Sequence, residues 1–248
     1  MLLLDTVSFA FPGRPVLADI SLQCKAGETI GFVGKSGIGK TTLLNLISGY
    51  LPGFSGRILV GGAEPSEAAR LQQIGFIFQT PTLVPWLTVR QNVSLPLRLH
   101  SQPHGEAEAR VDAALRSARI LHAETLLPHQ LSGGMQTRAA IARSIVYDPQ
   151  ILLMDEPFTG LDDVIKEQIF TELQTRWLES DTANVLVSHE LSEVIRLCDR
   201  VYVLRTDEHG PSRIVHCEPV NLKRPRGIDV LEAPAFLAAR RRVWQYLQ

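Results

Sequence analysis

Three cysteines, Cys24, Cys198 and Cys217, are too few and too scattered for a disulfide framework or a cysteine zinc site, and suit free thiols in a reducing compartment. No apolar stretch approaches the ~20 residues that cross a bilayer, so any membrane role has to come through a partner. No sign of charge dominates either. Lys plus Arg is 25 against 26 Asp plus Glu, a net charge of −1, which excludes the broad basic field that holds a nucleic acid. The short basic clusters Lys223-Arg224 and Arg240 to Arg242 are expected at the solvated ends of a loop and a helix. Internal repeats and low-complexity segments are missing. The opening "MLLLDTVSF" has no basic start and meets Asp5 after one short apolar run, so a first strand is expected there, not a secretory leader.

What is present is a hydrophobic content of 45% over 248 residues, enough for a sizeable core. Runs such as "TIGFVG", "IGFIFQ", "ILLMDEP", "NVLVSHE" and "RVYVL" are short, β-branched and separated by helical patterns, the rhythm of a buried, largely parallel sheet in an α/β protein. Between Gln79 and Asp148 the rhythm stops. Pro81, Pro85, Pro96 and Pro103 punctuate loops, and "GEAEARVDAALRSARI" and "MQTRAAIARSIV" carry helical spacing, which predicts a helical subdomain inserted in the core. After Arg205, "RIVHCEPV" reads as an edge strand, followed by a loop and a final helix, "PAFLAARRRVWQYL".

"GFVGKSGIGKTTLLNLISG" has Gly34, four residues, then Gly39-Lys40-Thr41, with a strand before and a helical run after, the context of a phosphate-binding P-loop. Its glycines let backbone N–H groups turn toward a β-phosphate, Lys40 reaches the β- and γ-phosphates, and the Thr41 hydroxyl can ligate Mg²⁺. A P-loop alone leaves kinase, GTPase and motor ATPase open. "ILLMDEP" then ends an apolar strand in Asp155-Glu156, at the sheet edge where ligands sit. There Asp155 would hold Mg²⁺ through its water shell and Glu156 would polarise a water attacking the γ-phosphate, unless the pair merely caps a helix that Pro157 and "FTGLD" delay. His189, at the end of "VLVSHE", can hydrogen-bond a γ-phosphate or serve as a structural histidine. "HELSE" is not a zinc-protease helix, because its last position is Glu193. His100 and His104 lack a third ligand and have Pro103 between them, so no metal is expected there. Gln79 ends "IGFIFQ" and either touches Mg²⁺ or the attacking water, or is an exposed loop glutamine.

A second anion device follows. In "PHQLSGGMQTRAAIARSI", Ser132 suits an N-cap and Gly133-Gly134 allow close backbone approach at a helix start, though an ordinary capped helix reads the same way.

Taken in order, "GKSGIGKTT", "IFQ", "LSGGMQTRAAIARS", "ILLMDEP", "TGLD" and "VLVSHE" resemble the Walker A, Q-loop, signature, Walker B, D-loop and switch motifs of the ATP-binding cassette (ABC) family. The resemblance implies a P-loop NTPase (RecA-like) core with an N-terminal antiparallel β-subdomain and an inserted α-helical subdomain. It implies a core over about residues 1–84 and 149–218, helices over about 85–148 and a tail over about 219–248. It implies ATP and Mg²⁺ as cofactors. It implies that Phe11 stacks on the base, that Gly34, Lys35, Ser36, Gly37, Ile38, Gly39, Lys40, Thr41, Thr42 and Gln79 hold the nucleotide, and that Glu156, His189 and Lys40 catalyse. Ser132, Gly133, Gly134 and Gln136 act in trans on the partner's nucleotide, and Asp162 bridges the subunits. The sequence departs from the family pattern at Phe11 (usually tyrosine), Gly160, Thr137 and Glu190.

The implied partners are a second ATPase subunit, transmembrane permease subunits and a substrate-binding protein, at the cytoplasmic face of the membrane, with no nucleic acid. A soluble ABC-type ATPase on nucleic acid or ribosomes is the contrasting reading, but no coiled coil splits the cassette and no second cassette follows. An exporter subunit is a further alternative. "TPTLVPWLTVRQNVSLPL" is similar to the importer segment that receives a membrane subunit's coupling helix. "LVPW" and "VNLKRPR" are similar to nitrate, sulfonate and taurine importers.

Overall fold

Along "ILLMD" the side chains alternate between two cores. Ile151 and Leu153 pack on one side of the sheet with Leu43, Leu44 and Ile47, while Leu152 and Met154 pack on the other with Ile145, Phe158 and Ile169. All five positions are buried, as a strand covered on both faces requires. The computed structural model describes residues 1–99, 104–206 and 210–248. His100 and Pro103 lie outside the described residues, as does the side chain of His104.

The first half runs β1 (Leu2–Phe11), β2 (Arg14–Cys24), β3 (Thr29–Val33), α1 (Lys40–Ile47), β4 (Ser55–Val60), α2 (Pro65–Arg70), β5 (Ile74–Ile77), α3 (Val89–Leu99) and α4 (His104–Ser117). The second runs α5 (Gly133–Ile145), β6 (Ile151–Asp155), α6 (Asp163–Leu178), β7 (Ala183–Val187), α7 (Leu191–Leu197), β8 (Arg200–Thr206), β9 (Ser212–Pro219) and α8 (Pro234–Leu247). Among the described residues the strands form a nine-stranded sheet in the order β4-β1-β2-β9-β8-β3-β7-β6-β5. The pairs from β8 to β5 are parallel, while β4-β1-β2 is antiparallel. Strands β3, β6 and β7 therefore deliver their carboxyl ends to one edge, where an open α/β sheet places its ligand.

Three expectations need correction. β9 is not an edge strand: it pairs along its length with β8 and meets β2 at Leu17–Ser212, so β4 and β5 are the edges. Pro96 lies inside α3, not in a loop. It sits in the last described turn, where the missing N–H costs one hydrogen bond.

Arg224 is not solvated. Its side chain is 8% exposed and donates to the Leu197 carbonyl at 3.0 Å and to Asp199 at 2.8 Å. Arg226 is more deeply set. Its guanidinium donates to the carbonyls of Ile195 (2.8 Å) and Cys198 (2.6 Å) at the end of α7, and to those of Val220 (3.2 Å) and Leu222 (2.9 Å). It thus supplies the donors that a helix C-terminus lacks and ties the chain after β9 to α7. Arg226→Ala would leave these buried carbonyls unpaired. The expected loss of unfolding free energy is about 3 kcal/mol or more, read from the denaturation midpoint; a loss below about 1 kcal/mol would show that water takes over the cap.

Candidate active site

Beyond Val33 the chain loops over the end of β3 before α1 begins. Gly39 adopts φ +106, and a Cβ there would stand 2.8 Å from a Val16 methyl, so glycine meets both the backbone demand and the crowding. A Cβ on Gly34 would come within 2.7 Å of the Leu204 carbonyl oxygen. Lys35, Ser36 and Gly37 form an exposed lip, Ile38 is buried, and the Ile38 carbonyl accepts the Ser212 hydroxyl at 2.5 Å. Thr41 is exposed and Thr42 half-buried in the first turn of α1, whose N-terminal N–H groups have no partner within the helix.

Lys40 folds back across this loop, its Nζ donating to the carbonyls of Gly34 at 2.8 Å and Lys35 at 3.0 Å. Burial pushes its ammonium down in pKa, against the opposing pull of Glu156 and Asp155. Asp155, 6% exposed, shows the complementary effect. Burial pushes its carboxyl up, a hydrogen bond from the Thr41 hydroxyl opposes the rise, and Glu156 adds to it. Lysine, threonine and aspartate thus meet at one sheet edge.

Glu156 leaves β6 at φ +46, a left-handed conformation that costs a non-glycine residue about 1–2 kcal/mol. Its N–H is held by the Val187 carbonyl at 2.8 Å, so the strained turn is fixed against β7. Three groups converge on one carboxylate oxygen, Oε2: Gln79 Nε2 donates at 3.3 Å, the Thr159 hydroxyl at 3.5 Å, and His189 Nδ1 lies at 3.1 Å. The His189 side chain is 56% exposed. Oε1 takes no hydrogen bond among the described residues, which leaves an oxygen able to accept from water.

Gln79 and His189, read from sequence as strand-end residues, therefore meet at Glu156. Thr159 was missed. It lies between the acid pair and Asp162 in "FTGLD", where only the fold brings its hydroxyl to Glu156.

The signature segment stands apart from this cluster. Ser132 caps α5, its Oγ accepting from the Met135 N–H at 3.3 Å. A Cβ on Gly134 would lie 2.6 Å from a methyl of Ile165, so α5 can approach α6 closely there. Gln136 turns back to its own chain, donating to the Pro128 carbonyl at 3.1 Å, and Asp162 caps α6 by accepting the Ile165 N–H at 3.0 Å. Ser132, Gly133 and Asp162 are exposed, and none of the signature residues' hydrogen bonds reaches the P-loop among the described residues. Phe11 ends β1 half-exposed, edge-on to Phe9 with ring centres 5.0 Å apart.

The profile of the ABC transporter family matches residues 17–159, more than half of the chain. The chain belongs to the ABC transporter family. It is similar to an aliphatic sulfonates import ATP-binding protein of Bacillus licheniformis, 37% identical over 92% of this chain and 85% of that protein. It is also similar to a spermidine/putrescine import ATP-binding protein of Vibrio cholerae, 34% identical over 88% of this chain. The ABC chain spans 59% of that polyamine protein's length. Among solved structures, a dimeric ATP-binding cassette in a post-hydrolysis state with ADP and Pi matches with a TM-score of 0.76. It is 29% identical over 90% of this chain and 100% of the cassette. The fold is that of an ABC ATPase, and the sheet edge described above is its P-loop side.

A second feature of the cassette lies beside Gln79. A cleft is lined in part by Ile74, Phe76 and Phe78 at β5, Leu95 and Leu99 of α3, and Tyr147 just beyond α5. Phe78 and Leu99 are 43% and 73% exposed. The wall is tied to the sheet: the hydroxyls of Ser144 and Tyr147 each donate at 2.8 Å to the carbonyls of Phe76 and Ile74, and Arg143 donates to the Thr82 carbonyl at 2.6 Å.

Proposed function

We propose that this chain is the ATP-hydrolysing subunit of a membrane importer for a small nutrient such as nitrate, a sulfonate or a related compound, and that two copies, or one copy and a paired subunit, share two ATP molecules. The observation that carries the hydrolytic reading is the convergence of Gln79, Thr159 and His189 on one oxygen of Glu156 beside the Lys40 loop. Lys40 and the loop from Gly34 to Thr42 bind the phosphates, and Phe11 stacks on the base. Glu156 takes the proton of the attacking water, oriented by His189. The hard oxygen donors of Thr41, Asp155 and Gln79 fit Mg²⁺, and Asp155 makes no ion pair among the described residues that would compete for it. When bound there, Mg²⁺ supplies charge neutralisation to the β- and γ-phosphate oxygens.

The outward placement of Ser132 and Gly133 supports their action, with Gly134 and Gln136, on the nucleotide of the other subunit, with Asp162 at the join. The half-apolar cleft beside Gln79 supports docking of a short helix from a permease, which fixes the chain to the cytoplasmic face of the membrane. A substrate-binding protein completes the importer. The sulfonate-import relative supports this choice over a soluble ATPase.

Isolation from gently solubilised membranes should bring down a multispanning permease together with a soluble binding protein. A ribosome or DNA in its place would overturn the importer reading. Phe78→Asp, which charges the cleft, should abolish permease copurification and leave ATP binding unchanged.

A further inference from the structure

The loop that presents His189 is held from behind by a polar cluster that the proposed reaction does not use. Lys166, in the second turn of α6, reaches two carboxylates of the β7–α7 junction, with Nζ 2.9 Å from both Glu190 and Glu193. Glu193 in turn accepts the Ser188 hydroxyl at 2.7 Å, and that same oxygen of Ser188 receives the Glu190 N–H at 3.0 Å. The two residues flanking His189 are therefore both tied to Lys166, one directly and one through Glu193. Most of the cluster is interior: the side chains of Lys166 and Glu193 are 13% and 7% exposed and Ser188 is 2% exposed, while Glu190 reaches solvent at 46%. Glu190, where the family pattern has an aspartate, is long enough to span to α6.

The other end of the tie also leads to the site. Lys166 donates its backbone N–H to the carbonyl of Asp162, the α6 cap, at 2.9 Å, and Asp162 follows Thr159 by three residues. The next residue, Glu167, pairs with Arg196 on α7, so α6 and α7 are fastened at two adjacent positions. Lys166 and Glu167 thus both join the helix capped by Asp162 to the segment that carries His189.

We propose that Lys166 is a positioning residue that locks the His189 loop to the helix capped by Asp162, so that hydrolysis depends on it while nucleotide binding does not. The inference rests on the reading of His189 and Glu156 as hydrolytic residues. Lys166 touches no reacting group; it fixes the one that does.

The test uses the full chain in its paired form. Lys166→Met keeps the length of the side chain and removes the charge. It should lower kcat about ten-fold, with KM and the dissociation constant for ATP within about two-fold of wild type. Lys166→Arg, able to bridge both carboxylates, should restore most of the rate. Because Lys166→Met leaves the buried Glu193 carboxylate without a cation, Lys166→Met/Glu193→Gln is the stability control: its Tm should return toward wild type while kcat stays low. Wild-type kcat per folded molecule in Lys166→Met would overturn the proposal, as would recovery of rate together with Tm in the double variant. Glu156→Gln, run in parallel, separates the two failures: if it too hydrolyses at the wild-type rate, the hydrolytic reading itself has failed.

Discussion

Glu156→Gln should lower ATP turnover about a thousand-fold and leave ATP affinity within about two-fold of wild type. The substitution keeps the shape of the side chain, and its amide oxygen can still accept from Gln79, Thr159 and His189, which now share one carboxylate oxygen. What it removes is the capacity of the free oxygen to take a proton. The parts proposed to hold the phosphates are built elsewhere: Lys40 is fixed by the carbonyls of Gly34 and Lys35, and the loop is shaped by glycines against Val16 and Leu204. Binding and chemistry thus rest on separate groups, so a variant can lose one and keep the other. With hydrolysis blocked, ATP should hold two chains together, and the variant should elute as a stable dimer when ATP is present and as a monomer when it is removed. Phosphate release, nucleotide titration and size exclusion together check the prediction; wild-type turnover would remove Glu156 from the role of base.

Why so much of this was legible follows from the way the sheet is built. Strands buried on both faces are mostly apolar, so "TIGFV", "ILLMD" and "ANVLV" announce themselves, and a polar residue at or just after their carboxyl ends lies at the ligand edge. The P-loop is legible for the same reason as any tight backbone path: Gly34 and Gly39 have no room for a Cβ. Other parts depended on partners far away in the chain. β9 reads as an edge because its apolar positions are sparse, yet Ser212 meets Leu17, a contact across nearly two hundred residues. Arg224 reads as solvent-facing because arginine usually is; the Leu197 carbonyl at the end of α7 that claims it is an outcome of packing. Thr159 escaped because a threonine in a loop signals nothing until Glu156 is beside it.

Ser132→Arg should reduce ATP turnover at least a hundred-fold while the P-loop still fills with nucleotide. Ser132 is exposed, and its hydroxyl touches only the Met135 N–H of its own helix, so within one chain the substitution loses an N-cap, worth about 1 kcal/mol. That loss is too small to stop catalysis by unfolding the cassette. In the proposed shared-site dimer the same arginine would occupy the space in front of the partner's γ-phosphate and displace the helix start that would meet it. The decisive form of the experiment mixes two dead variants, Ser132→Arg and Glu156→Gln. In a hybrid dimer of shared sites, one site receives Lys40, Glu156 and His189 from the first chain and an unaltered Ser132 from the second, and is whole; the other site carries both lesions. Random pairing makes half of the dimers hybrid, so the mixture should recover about a quarter of wild-type turnover. If Ser132 instead serves the nucleotide of its own chain, every site in the mixture carries a lesion and the activity stays at the level of the separate variants. Recovery on mixing therefore distinguishes two arrangements that the fold of one chain allows equally, and it does so without any need to know what the importer carries.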